Sequence, residues 1–208
     1  MKLAGDYTFD ASVEDVWAAL FDPKVLATVM PGCEKLDLVD GAYVGDLNIK
    51  VGPVQGKFSG KVDLRDVDEP RSYTMVVDGR GAPGFVKATA HIKLEPQGTG
   101  TKLIYDADAQ IGGKIASVGQ RLIDASAKAI VKQSLDGLKQ NVTIRAQAYR
   151  DAAKQPDAPP PEVKLKPLDP SAVAGAVAKE VAKSLAPRVI VYGLLAVAAA
   201  AVLWWAFR

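Results

Sequence analysis

His91, Cys33 and a run of acidic residues are the groups whose types suggest chemistry. His91 is the single histidine of the chain, and an imidazole titrating near neutrality can serve as a general base. Its neighbours Ala90 and Ile92 occupy the apolar positions of an alternating strand, which puts His91 on the outer face beside Lys87 and Thr89. That is the place of a solvated strand histidine. Cys33 follows a Pro-Gly turn with no second histidine or carboxylate partner nearby in sequence, so nothing there lowers its thiol pKa. Asp63, Asp66, Asp68 and Glu69 are interrupted by Arg65 and Arg71 and lack calcium-loop spacing, which reads as a solvated turn. No CxxC, HExxH, Walker loop or GxGxxG stands in a suitable context, so the pattern assigns no catalytic residue, metal or nucleotide.

One glycine-rich segment invites a functional reading. Gly79-Arg80-Gly81-Ala82-Pro83-Gly84 is either a flexible hairpin loop or a mobile lip at a cavity mouth. In the second case Arg80, Gly81, Pro83 and Phe85 form the lip, with Arg80 available to a partner or to a polar ligand head.

The elements that position these residues follow from periodicity. Leu3, Gly5, Tyr7 and Phe9 alternate with polar neighbours as a half-buried strand does. Ser12 precedes Val13-Glu14-Asp15 as a helix cap, and Val13, Val16, Trp17 and Leu20 share one helical face. Asp22-Pro23 breaks that helix, and a second short one is expected over 23–30. Six strand-like runs follow between Cys33 and Ile111, divided at 40–41, 52–53, 69–70, 82–84 and 98–100 by turn-forming residues. Residues 114–150 then read as one long helix, with Ile115, Val118, Leu122, Ile123, Ile130, Val131, Leu135 and Leu138 at helical spacing. The expectation is an α+β domain over 1–150, a curved antiparallel seven-stranded sheet wrapped on a long C-terminal helix.

The inward phase of the strands is rich in small residues: Gly45, Gly56, Gly60, Ala88, Ala90, Ala107 and Ala109, faced by Gly119, Ala125, Ser126 and Ala129 of the helix. Voids in a packed interior are costly. Either the helix approaches the sheet closely, with bulges at the glycines, or an apolar cavity lies between them. Its lining would then include Phe58, Met75, Val77, Tyr105, Ala107, Ala109, Leu122 and Ser126. A cyclase- or hydrolase-type enzyme would need inward acids or bases, and the phase supplies only Tyr43, Tyr73 and Tyr105.

The 208 residues carry a net charge of +2 and one cysteine, which gives no basic footprint for nucleic acid and no internal disulfide. The start of the chain lacks the apolar core of a signal peptide. Residues 151–170 hold six prolines and read as a semi-rigid linker, about 60 Å long if extended as polyproline II. Residues 171–187 read as an alanine-rich juxtamembrane helix ended by Pro187. Residues 188–208 read as a transmembrane anchor. Its apolar run 189–207 spans about 28 Å as a helix, close to a bilayer's hydrocarbon thickness, and ends in Trp204, Trp205 and Phe207. Lys179, Lys183 and Arg188 on the domain side orient that domain to the cytoplasm.

Val13-Glu14-Asp15-Val16-Trp17, Asp22-Pro23, Met30-Pro31-Gly32-Cys33-Glu34 and the run from Val51-Gly52-Pro53 to Phe58-Ser59-Gly60 resemble the family of the carbon monoxide dehydrogenase G protein. That family lies within the START-like, helix-grip and polyketide-cyclase superfamily, and the likeness covers residues 1–145. The resemblance implies a helix-grip fold with a hydrophobic cavity between sheet and long helix. It also implies a non-enzymatic accessory role beside a molybdenum-containing carbon monoxide dehydrogenase at the cytoplasmic membrane. With the apolar tail it points to a lipophilic ligand such as a respiratory quinone, with no covalent cofactor. A purely structural anchor with a filled core is the rival expectation.

Overall fold

The computed structural model describes residues 1–152 together with Gly175 and Ala178. The proposed linker beyond Ala152, the anchor over 188–208 and all of 171–187 but those two positions lie outside the described residues. Among the described residues no helix is long and apolar enough to cross a membrane.

Strand β1 (Lys2–Phe9) leads into α1 (Val13–Phe21) and α2 (Pro23–Val29). Ser12 caps α1, its hydroxyl accepting from the Asp15 N–H at 3.1 Å. Asp22 caps α2 ahead of Pro23, which presets the first helical φ. Six strands follow: β2 (Cys33–Val39), β3 (Ala42–Val51), β4 (Val54–Asp68), β5 (Ser72–Gly81), β6 (Gly84–Gln97) and β7 (Gly100–Gly112). They form one curved antiparallel seven-stranded sheet in the order β1-β7-β6-β5-β4-β3-β2, a meander whose last strand pairs with the first. Every expected turn falls between the expected strands.

The long helix is shorter at its start than its apolar spacing predicts. Lys114–Val118 is a 3-10 turn, Gly119 adopts φ +90°, and α3 runs Gln120–Ala152. A left-handed glycine ends one helical segment and re-aims the next. Ile115 and Val118 still pack inward from the 3-10 turn, so the hydrophobic spacing runs on through a break in the backbone. At its far end α3 continues two residues into the expected linker.

Two separated apolar clusters hold these layers together. The larger joins Phe9, Val16, Trp17, Val25, Val29, Tyr73, Ile92, Leu94 and Leu103 with Leu138 and Val142 of α3. The second joins Val51, Phe58 and Ile115 near the β3–β4 turn, with Leu122 of α3 packed on it. The backbone of α3 comes close to α1, α2, β1 and β3.

Candidate functional site

The register sorts the inward residues into adjacent cross-strand rows. One row runs Ala107, Ala90, Met75, Leu64; the next runs Ala109, Ala88, Val77, Val62, Tyr43; a third runs Ile111, Val86, Gly79, Gly60, Gly45. Strand alternation therefore gathers small residues from five strands into one band across the concave face. The band lies between the two apolar clusters. Val62, Val77, Ala88, Ala107 and Ala109 keep partial exposure, whereas Phe58, Leu94 and Leu103 at the two ends are buried. A filled core would bury the middle of the sheet at least as deeply as its ends.

Of the eight expected lining residues, Met75, Val77, Ala107 and Ala109 sit in this band. Phe58 and Leu122 wall one end in the second cluster. Tyr105 lies over Gly5 at the β1 side, and burial followed by the Asp6 charge pushes its phenol pKa up. Ser126 is buried, only 1% exposed.

The glycine-rich segment is not one loop. Strand β5 extends to Gly81 and β6 starts at Gly84, so the turn is Ala82-Pro83 alone. Alternation sends Arg80 and Phe85 to the convex face, where Arg80 pairs with Asp78 at 3.2 Å and the Phe85 ring lies over Gly112. Pro83 is buried over Gly56, and its carbonyl accepts from the Ile115 N–H at 2.9 Å. Gly81 passes so close to the Lys57 carbonyl that a side chain there would collide with backbone. The Gly-x-Gly-x-x-Gly spacing thus joins two strands and fixes a packed corner.

His91 is exposed on the outer face as its phase predicts, with Nδ1 3.0 Å from the Thr74 hydroxyl across the strand pair. Burial raises the Cys33 thiol pKa, against a weak bond to the Lys35 carbonyl, so the sulfur stays protonated at neutral pH. Among the described residues no His, Cys, Asp and Glu group could hold a metal. The inward tyrosines are built into the packing. Tyr43 donates to the Phe21 carbonyl at 2.8 Å, and Tyr73 meets Trp17 and Phe21 edge-on with its pKa raised by burial. Tyr7 donates to Asp136 at 2.7 Å, and burial first, then that bond, raises its pKa. A separate notch of about 560 Å³ opens between α1 and the β4–β5 turn, lined by Trp17, Phe21, Val67 and Pro70 with Glu14 and Glu69 beside them.

Sequence reading missed the polar side of α3. Ser126 counted there only as small, and Gln133 and Asn141 passed as solvent-facing. Asn141 is 1% exposed with neither end of its amide partnered, and the Ser126 hydroxyl and Gln133 carbonyl oxygen are buried without partners as well. The signal was available in the spacing: at 3.6 residues per turn, Leu122, Ser126, Gln133, Gly137 and Asn141 fall within roughly 100° of one another.

A curved antiparallel sheet with a long C-terminal helix, and a small-residue band on its concave face, defines a START-like protein. A START superfamily protein from Mycobacterium smegmatis shares the fold at 13% identity and TM-score 0.55, covering 68% of this chain and 97% of that one. A conserved protein from Geobacillus kaustophilus is 32% identical at TM-score 0.66, covering 69% and 95%. No curated protein matches the chain significantly. Residues 5–143 match the CoxG family, the G component of carbon monoxide dehydrogenase, and the chain belongs to that family.

Proposed function

We infer that this chain is a non-enzymatic, membrane-tethered accessory protein that binds a lipophilic ligand on the small-residue band. It recruits a molybdenum-containing carbon monoxide dehydrogenase to the cytoplasmic membrane, with the domain on the cytoplasmic side. The observation that carries the ligand is the half-exposed band between two well-packed clusters. Family membership supports the dehydrogenase as partner, and the apolar run 189–207 supports the membrane.

A respiratory quinone fits this arrangement by supply and need. A soluble dehydrogenase must pass electrons to an acceptor dissolved in lipid, and an apolar band buries a prenyl tail at about 0.8 kcal/mol per methylene. Among the described residues the band carries no inward carboxylate, histidine or thiol, which supports binding over catalysis.

The test is mass spectrometry of organic extracts from the purified full chain. A stoichiometric quinone or other lipid is expected. Recovery of none from protein purified out of its own membranes would refute carriage and leave the purely structural anchor.

A further inference from the structure

The band on the sheet is apolar, yet the helix facing it is not. Ser126, Gln133 and Asn141 lie on the stripe of α3 that begins with Leu122, and Leu122 packs on Phe58 and Val51 of the sheet. At the other end Asn141 is flanked by Leu138 and Val142, both within the larger cluster. This face of the helix is therefore turned inward along its length, and Gly137 and Ala129 keep it low. A buried hydroxyl or amide without a partner has lost its hydration and gained nothing in return. Native folds leave few such groups, and these share one helix face opposite the one region of the sheet that is not closed.

We propose that Ser126, Gln133 and Asn141 form a hydrogen-bonding wall for the oxygen-bearing head of the lipophilic ligand. The inference rests on the apolar-band reading and adds its polar specificity. The stripe spans about 22 Å at 1.5 Å per residue. The head lies against Ser126 and Gln133, above the small-residue band, while the tail follows the alanines of β6 and β7. Asn141 closes the inner end, offering both an amide donor and an amide acceptor. The ligand class is an amphiphile with carbonyl or hydroxyl oxygens at one end, and a plain hydrocarbon satisfies none of these groups.

The test uses the full chain in detergent with two probes of equal tail length, decyl-benzoquinone and decylbenzene, titrated against wild type, Ser126→Ala and Asn141→Leu. For the quinone each variant is expected to bind about three- to tenfold more weakly, the size of one or two lost hydrogen bonds. Decylbenzene affinity should not change, and the unliganded variants should melt at or above the wild-type temperature, since an unpartnered polar group has been removed. Equal binding of the quinone to all three proteins overturns the polar wall and leaves the apolar site standing. Destabilised variants with unchanged affinity overturn it as well, and assign the groups to structural water. A wild-type chain that takes up neither probe overturns the apolar site and the wall together. Ser126→Ala, the smaller change, keeps the test valid if Asn141→Leu fails to fold.

Discussion

Asp22 shows how much one residue can carry outside any site. Its carboxylate accepts from the N–H groups of Lys24 at 2.9 Å and Val25 at 3.4 Å, and pairs with Arg145 of α3 at 2.8 Å. Burial works against its charge, but the Arg145 bond and the two N–H groups outweigh it and hold the pKa below its ordinary value. A folded-state pKa below the unfolded one stabilises the fold above the unfolded value, near pH 4. That contribution is lost as pH falls through the lower folded value. Asp22→Ala should therefore cost about 1–2 kcal/mol in denaturant titrations at pH 7, and the deficit should shrink below about pH 4 as the wild-type carboxylate protonates. A deficit independent of pH would place the effect in packing. Asp22→Asn keeps a cap and should cost less. The sequence marks Asp22-Pro23 as a helix boundary, since the capping chemistry is local. The partner lies 123 residues away, and no short-range pattern encodes that pair.

The strands were legible because a period of two admits only one inward phase once the large apolar residues are placed. The same alternation, combined with register, assembles the band from residues that look unremarkable singly. What escaped was backbone direction. Gly119 reads as a small helical residue because Ile115 and Val118 keep helical spacing, yet its φ of +90° separates a 3-10 turn from α3. Gly119→Ala forces a Cβ into the left-handed region and should destabilise by about 1–2 kcal/mol, although space around the position is open. A neutral effect would mean the 3-10 turn and α3 re-form around alanine. The 79–85 segment misled in a similar way, because glycine density suggested mobility where the strands simply continue. Gly81→Ala should therefore destabilise through collision with the Lys57 carbonyl, whereas Arg80→Ala should change stability by about 0.5 kcal/mol or less, as an exposed ion pair does. The band itself invites the opposite substitution. Ala109→Leu adds apolar volume between the clusters and should leave the melting temperature unchanged or higher while removing co-purified lipid. In a closed core the same change would overpack and cost about 1–3 kcal/mol.

At the scale of the whole molecule the two clusters divide the labour. The larger one locks α1, α2 and the far half of α3 onto the sheet, and the smaller one seats Leu122 at the β3–β4 end. Between them the sheet is closed by small residues and by a helix face whose polar groups lack partners, so stability is concentrated at the ends. Such a domain can exchange a ligand from its middle without unfolding its core. The linker and apolar run then decide whether that capacity serves delivery or only attachment. Under the proposed tether, the full chain should sediment with membranes and a chain ending at Ala152 should stay in the supernatant. The more telling comparison loads both forms with decyl-benzoquinone and follows its appearance in acceptor vesicles. A carrier that works from its own bilayer should deliver to that bilayer faster when tethered, because the linker keeps the domain within about 60 Å of the lipid surface. The truncated chain should deliver to every vesicle at one concentration-dependent rate. If tethering leaves the rate unchanged, the anchor serves only to hold the dehydrogenase, and ligand exchange proceeds through free solution.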